Sequence, residues 1–291
     1  MADARLGPGK QENDVLKDIL VPVLLGEVHE DALACACAIA TRHESHVAAL
    51  VGVSMVTPIA TAWAYYPAGV YETISEAATA TTKAMAEAVE NRFVRETVSH
   101  EIRRSDSLWL TSAELAALHA HYADLVVLGV GRPIQDAENR LFAGLLMDGG
   151  RPLLVVPAGA PAVETHGHAV VAWKSSREGA RAVHDAMPLL LQAKSVDVLI
   201  VEREPGHDAR NDIAGCDLAT HLARHDLKVN VVARPYTAPS AGQTILAYAR
   251  ECGADLIVAG GYSRSRALEQ VFGGVTRDLL ADATVPVLFS H

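Results

Sequence analysis

The sequence predicts an α/β protein made of two similar domains, each a parallel sheet of about five strands flanked by helices. The first observation is an internal repeat. Asp124–Gly129 reads Asp-Leu-Val-Val-Leu-Gly, and Asp255–Gly260 reads Asp-Leu-Ile-Val-Ala-Gly. The period of this repeat is about half the chain, well beyond the roughly 20–50 residues of a solenoid repeat. Each copy is therefore expected to enclose its own core.

The second observation is that short apolar, β-branched runs alternate with segments of helical period, which predicts right-handed crossovers between parallel strands. The predicted strands outside the repeated motif lie at 18–23, 47–53, 153–156, 169–173, 196–201, 229–233 and 287–289. The longer predicted helices lie at 79–98, 112–121, 212–225 and 242–252. A Ser-x-x-Glu capping box at Ser175 and Glu178 predicts a further helix start.

Domain boundaries follow from segments that lack either pattern. Residues 157–168 are rich in glycine, proline and histidine, and we interpret them as the linker. The predicted domains are residues 15–160 and 165–291, preceded by a disordered polar tail at 1–14. Because the linker is short, the two domains are expected to lie next to each other.

One segment distinguishes the two halves. The offset between matching residues falls from about 150 at the first strand to 131 at the fourth, so the first half contains about 19 additional residues. The aromatic-rich stretch 56–76 is the best candidate for this insertion. It could form a lid over a pocket, part of a subunit interface, or an ordered loop that packs on its own domain.

Composition excludes several classes of protein. The formal net charge is −10 and no Lys/Arg cluster occurs, which argues against nucleic-acid and anionic-membrane binding. Neither a long apolar run nor an apolar signal core is present, so a cytoplasmic protein is expected. Four cysteines do not make a disulfide scaffold, and neither a His-Glu-x-x-His nor a Cys-x-x-Cys motif occurs. No metal site is predicted, and the 13 histidines are interpreted as structural or exposed.

The strongest candidate for chemistry lies after the fourth strand of the second half. In an open parallel sheet, ligands bind beyond the carboxyl ends of the strands. Gly260-Gly261 ends that strand, and Gly273-Gly274 precedes a helix that begins with Val275 and Thr276. Glycines let backbone N–H groups approach an anion, and a helix start adds unpaired donors. Ser263 and Arg264 lie in the loop between the two glycine pairs.

This segment resembles the signature of the universal stress protein family, Gly-x-x-Gly, nine residues, then Gly followed by Ser, Thr or Asn. Gly260 and Gly273 match the first and third glycines, Ser263 stands at the second, and Gly274 replaces the hydroxyl residue. With the opening strands, the resemblance covers residues 15–291 as a tandem protein. It implies two Rossmann-like domains of the adenine nucleotide alpha hydrolase type, related by a pseudo-twofold axis.

The resemblance also implies where the two halves meet. In the family, the last strands of two domains pair across a dimer. Residues 153–156 and 287–289 are the matching strands in this sequence. The chain would thus form an intramolecular pseudo-dimer, with a homodimer of two chains and an unidentified protein partner as further expected associations.

The resemblance implies ATP or AMP as the candidate ligand of the second half. The predicted ligand-binding residues are Trp173, Lys174, Val201, Gly260, Gly261, Ser263, Arg264, Gly273, Gly274, Val275 and Thr276. Family members that bind ATP hold the ribose with an aspartate at the end of the first strand, where this chain has Lys174. A lysine cannot accept hydrogen bonds from hydroxyl groups, although it favours an anion.

The first half departs further from the signature, so its site is predicted to be degenerate. Leu24-Leu25 follows its first strand, Arg132 stands at the second glycine position, and Phe142-Ala143-Gly144 fills the later one. No catalytic motif is recognisable in either half. The predicted function is a non-catalytic stress-response or regulatory protein. The alternatives are an interaction scaffold without nucleotide binding and a very slow nucleotide hydrolase.

Overall fold

The computed structural model describes residues 16–53, 68–105, 110–161, 167–202, 209–236, 239–261 and 273–291. The strands are β1 Asp18–Val23, β2 His46–Gly52, β3 Ser99–Ser105, β4 Leu125–Val130, β5 Leu153–Pro157, β6 His168–Trp173, β7 Ser195–Glu202, β8 Val229–Pro235, β9 Leu256–Gly260 and β10 Val287–Ser290. The helices are α1 Glu30–His43, α2 Ala68–Phe93, α3 Ser112–Ala120, α4 Asp136–Asp148, α5 Arg177–Leu190, α6 Ala209–Ala223, α7 Ala241–Glu251 and α8 Gly274–Asp282.

The ten strands form one sheet in the order β3-β2-β1-β4-β5-β10-β9-β6-β7-β8. Each half contributes five parallel strands in the same relative order, so the two Rossmann-like domains predicted from the sequence are confirmed. The halves join where β5 pairs antiparallel with β10, with Val287 opposite Val155 and Phe289 opposite Leu153. The order is symmetric about this pair, and burying both strands there removes two exposed sheet edges.

The expectation that each half encloses its own core is wrong. An apolar layer on each face of the sheet continues through both halves. On one face, Phe142 of α4 makes an edge-to-face contact with Phe289 of β10, their ring centroids 5.2 Å apart. The layers are continuous because β5 and β10 are hydrogen-bonded neighbours, so the helices that cover them pack against residues of both halves.

Two first-half elements differ from the sequence predictions. Helix α2 spans Ala68–Phe93 rather than 79–98, so the end of the predicted insertion 56–76 is helical and its beginning lies outside the described residues. Strand β3 was missed because its sequence, Ser-His-Glu-Ile-Arg-Arg-Ser, is polar. It can be polar because it lies at the edge of the sheet, with β2 as its neighbour.

The start of the second half also differs in detail. His168 is the first residue of β6 rather than the last residue of a linker. The cap of α5 is Ser176 rather than Ser175, since the Ser176 hydroxyl accepts a hydrogen bond from the Gly179 N–H at 3.1 Å. The proposed tail lies outside the described residues, and the exact domain boundaries stay a prediction. Within the described ranges, no helix is both long and apolar enough to span a membrane.

Candidate functional site

The carboxyl ends of β6, β7 and β9 lie next to each other at one edge of the second half. Trp173, the last residue of β6, is paired with Ile200 of β7, and Ala172 is paired with Ala259 of β9. Because side chains alternate along a strand, Trp173, Ile200 and Glu202 project from the same face of the sheet. This edge is where an open parallel sheet binds ligands.

Two polar atoms at this edge are buried without a hydrogen-bond partner: the indole Nε1 of Trp173 and the carboxylate Oε1 of Glu202. Glu202 is 9% exposed and ends β7. An unpaired buried donor or acceptor costs about 1–3 kcal/mol, so each atom is a place where a ligand group would be favourable. Glu202 was not among the predicted site residues. The signal available in the sequence was a charged residue at the end of an apolar strand.

Gly260 has a structural role at this edge. A Cβ atom added to Gly260 would lie 2.8 Å from the Gly179 N and from the Glu178 carbonyl carbon, in the first turn of α5. The first half repeats this contact, since a Cβ on Gly129 would overlap the side chain of His29, which caps α1. The first glycine of each copy therefore lets a helix start pack closely against the end of a strand.

Gly261 is part of the contact between the two halves. It is buried, and its N–H donates to the Ser290 carbonyl of β10 at 2.8 Å. An added Cβ would lie 2.6 Å from the Leu146 Cδ2 of α4. Its backbone donor is thus engaged in the sheet and not available to a ligand.

The start of α8 is exposed. Gly273 caps the helix and Gly274 is its first residue, and among the described residues an added Cβ at either would meet no atom within 4 Å. Val275 is half-buried and Thr276 is 3% exposed, so their side chains belong to the packing beneath.

The remaining predicted residues are divided between surface and interior. Lys174 is exposed directly after β6. Val201 is half-buried and packs against the apolar layer on the α7 and α8 face. Ser263 and Arg264 lie outside the described residues.

The equivalent edge of the first half is filled by its own carboxylate. Glu138, in the first turn of α4, is 4% exposed and accepts hydrogen bonds from the backbone N–H groups of Gly131 and Gln135, each at 2.6 Å. His29 Nε2 lies 3.5 Å from the same carboxylate. The Glu138 carboxylate therefore pairs with backbone N–H groups of the loop, which are donors of the kind that would otherwise bind an anion.

The position of α4 also corrects one assignment made from the sequence. Phe142-Ala143-Gly144 was placed at the later glycine position, but it lies in the middle of α4, where Phe142 is fully buried. Four residues separate α4 from β5, and four separate α8 from β10. With 13 residues against nine, α4 thus extends about one turn further at its start, and this additional turn carries Glu138.

The repeated aspartates lie at the opposite edge and are structural. Asp124 Oδ2 accepts the N–H groups of Lys17 and Asp18 at 2.7 and 3.0 Å. Asp255 Oδ2 accepts those of Gly167 and His168 at the same distances. In each half the repeated aspartate anchors the start of the first strand, which accounts for its place in both copies.

Comparison with known proteins agrees with this architecture. Residues 164–291 match the sequence profile of the Universal stress protein family. The structure is similar to a universal stress protein from Archaeoglobus fulgidus DSM 4304, with a TM-score of 0.67, 15% identity and coverage of 94% of this chain and 95% of that chain. It is also similar to a proposed universal stress protein from Pseudomonas aeruginosa UCBPP-PA14, with a TM-score of 0.56, 17% identity and coverage of 96% and 95%.

The search of curated proteins gave no significant match. At these low identities the structural matches establish the fold, whereas the profile match establishes the family of the second half. Residues 164–291 therefore belong to the Universal stress protein family, and the whole chain has the fold of a tandem, two-domain member.

Proposed function

We propose that the protein is a non-catalytic stress-response or regulatory protein whose second half binds a small ligand, with ATP or AMP as the leading candidate. The observation that carries this proposal is the pair of buried, unpaired polar atoms at the open edge, Trp173 Nε1 and Glu202 Oε1. One donates and the other accepts. A ligand with both an acceptor and a donor is stabilised by pairing them.

An adenine nucleotide offers the required groups. Ribose hydroxyls and the adenine amino group can donate to Glu202, while ring nitrogens and hydroxyl oxygens can accept from Trp173. Glu202 would thereby supply, from the neighbouring strand, the carboxylate that is absent at Lys174. The open backbone at Gly273 and Gly274 is suited to the phosphates, because a helix start favours anions.

The test is titration calorimetry of the full chain with ATP, AMP, adenosine and inorganic phosphate. We expect saturable binding of ATP and AMP, and an affinity reduced about tenfold in Glu202→Gln because one charge-assisted hydrogen bond is weakened. Glu87→Gln is the matched control, since it removes the same charge from an exposed position on α2. We expect this control to bind like the unmodified protein.

Two outcomes would overturn the nucleotide proposal. Equal binding of AMP and inorganic phosphate, unchanged in Glu202→Gln, would indicate a simple anion site. No saturable binding at millimolar ligand would leave the interaction scaffold as the function.

The absence of catalysis is tested separately. A binding protein should retain ATP without releasing phosphate above background. Phosphate release by the unmodified protein that disappears in Gly273→Leu would instead establish slow hydrolysis, because a bulky side chain at the start of α8 would obstruct the phosphates.

A further inference from the structure

A second polar cluster lies at the opposite edge of the sheet, near the amino-terminal ends of the second-half strands. It consists of His168 at the start of β6, Asp197 in β7 and Cys252 directly after α7. One nitrogen, oxygen or sulfur atom from each residue lies within 4.8 Å of the others. The side chains of His168 and Asp197 are 22% and 5% exposed, so the cluster is shielded but can be reached from solvent.

The contacts of His168 place its ring nitrogen Nε2 directly beside a carboxylate oxygen. Its Nδ1 lies 3.2 Å from the backbone carbonyl oxygen of Cys252, which can only accept, so Nδ1 carries a proton. Its Nε2 lies 2.8 Å from Asp197 Oδ2, within ion-pair distance, although the two atoms are not aligned as in a regular hydrogen bond. In a neutral imidazole, Nε2 would then direct a lone pair at a carboxylate. Either a second proton or a cation must lie between the two acceptors.

The surrounding contacts are those expected around metal ligands. A metal-binding histidine usually donates its other N–H to a backbone carbonyl or carboxylate, as Nδ1 of His168 does. Ligating carboxylates are themselves hydrogen-bonded, and Asp197 accepts from the Asn230 amide at 2.9 Å and from the Tyr248 hydroxyl at 2.6 Å. These outer contacts fix the orientation of both side chains before any metal binds.

We propose that His168 Nε2, Asp197 Oδ2 and Cys252 Sγ form a binding site for a divalent transition metal, with Zn²⁺ as the best fit. Imidazole, carboxylate and thiolate are the three side-chain ligand types of protein zinc sites, and three protein ligands leave a fourth position for water. Binding forms a zinc–sulfur bond and releases the thiol proton of Cys252 to solvent. Affinity is therefore expected to rise with pH.

The adjustments that metal entry requires are small. Zinc bonds of about 2.0–2.1 Å at a tetrahedral angle separate two ligand atoms by about 3.3 Å, so the His168–Asp197 pair would open by about 0.5 Å. The Cys252 thiol has a 3.6 Å contact with the Ala249 carbonyl to lose when it turns toward the metal. In the first half, Ala48 is the third residue of β2, as Asp197 is of β7, so the carboxylate ligand has no counterpart there.

The test uses the full chain after treatment with a chelator. Competition with a chromogenic zinc chelator should give one Zn²⁺ per chain, and Co²⁺ should produce a thiolate-to-metal charge-transfer band. Cys252→Ser should lose this band and bind Zn²⁺ at least about tenfold more weakly, because a thiolate ligand is replaced by a hydroxyl. Cys216→Ser is the matched control, since it removes an exposed thiol elsewhere and should retain both properties.

Circular dichroism checks that the variants are folded. A second ligand variant, His168→Gln, should show the same loss of Zn²⁺ affinity. Zn²⁺ should raise the Tm of the unmodified protein and of Cys216→Ser but not of Cys252→Ser, because a ligand that binds the native state stabilises it. Failure to bind one Zn²⁺ per chain, or equal binding by the two cysteine variants, would overturn the proposal. Both outcomes are independent of whether the opposite edge of the sheet binds a nucleotide.

Discussion

The two halves share a strand order but treat the same edge of the sheet in opposite ways. In the first half, the Glu138 carboxylate accepts hydrogen bonds from Gly131 and Gln135. In the second half, the corresponding helix starts one turn later, at Gly273-Gly274, and no atom of the described part of the chain lies within 4 Å of a Cβ added to either glycine. The Glu138 carboxylate thus occupies the backbone donors at this edge of the first half, whereas α8 lacks the additional helical turn that would carry such a residue.

This difference shows which glycines of the signature are needed for folding and which are candidates for ligand binding. Gly129 and Gly260 are needed in both halves because a helix start packs against each of them. The open helix start and the unpaired atoms of Trp173 and Glu202 occur in the second half. The duplicated feature is therefore the scaffold, and the candidate for function is the feature that differs.

The largest effect is expected from Glu138→Ala. Removing the carboxylate leaves two backbone donors unpaired, and each costs about 1–3 kcal/mol, so we expect a loss of about 3–4 kcal/mol in the free energy of unfolding. Urea denaturation measures this loss. Glu138→Gln should lose about half as much, because one amide oxygen remains to accept.

The same variant tests whether the side chain fills an anion site. Sulfate or phosphate should raise the Tm of Glu138→Ala more than that of the unmodified protein, since the freed donors can bind an anion. An equal rise in both proteins would mean that Glu138 only supports the loop.

The next effect concerns the packing glycines. Gly260→Ala places a methyl group 2.8 Å from backbone atoms of α5, which cannot move aside cheaply, and should cost about 2–3 kcal/mol. Gly274→Ala is the matched control, because its position is open and helical. We expect this control to be more stable by about 0.4–1 kcal/mol. Thermal denaturation of the two variants separates them, and a similar Tm for both would contradict the structural role of Gly260.

A smaller difference is expected between the repeated aspartates. Asp255→Ala and Asp124→Ala each remove an acceptor of two backbone hydrogen bonds, but those of Asp255 are partly buried whereas those of Asp124 are exposed. We expect losses of about 2 and about 1 kcal/mol respectively, since water replaces the acceptor at the exposed site. Parallel urea denaturation measures the difference, and the reverse order would show that burial does not decide the cost.

The fold could be predicted from the sequence because its strands are apolar and its repeat is long. Buried strands such as 18–23 and 169–173 stand out by composition, and pairing of β5 with β10 followed from the family resemblance. The polar edge strand β3 and the shared apolar layers were missed. Neither leaves a local pattern, since both depend on which strands become neighbours.

The position of the candidate site stays a prediction, and its packing could not be predicted from the sequence. The signature located the open helix start, yet the close packing at Gly260 and Gly261 depends on contacts with Gly179 and Leu146 that are distant in sequence. Glu202 and Glu138 were missed for the same reason. A carboxylate shows its role through burial and partners, which a single sequence does not display.

The smallest effect tests the helix caps of α3 and α7, which occupy the same place in the two halves. Thr111 and Glu114 form a capping box, whereas Ser240 is followed by the neutral Gln243 at the same position. Hydrogen bonds from the backbone and the side chain of Thr111 lower the pKa of Glu114. A lowered pKa in the folded state adds stability above the ordinary pKa of about 4.5, and this stability is lost as the pH falls through the folded value.

Glu114→Gln should therefore make the first-half cap resemble that of the second half. We expect a loss of about 0.5 kcal/mol or less at pH 7, because the side chain is exposed and water screens its charge. The difference from the unmodified protein should shrink as the pH falls below the ordinary pKa of about 4.5 and through the lowered folded value, where Glu114 becomes protonated. Gln243→Glu should not show the converse gain, because the Gln243 amide donates to the Asp282 carboxylate at 2.6 Å and a second carboxylate there would repel it. Urea denaturation across this pH range measures both, and a pH-independent difference would assign the cap to hydrogen bonding rather than charge.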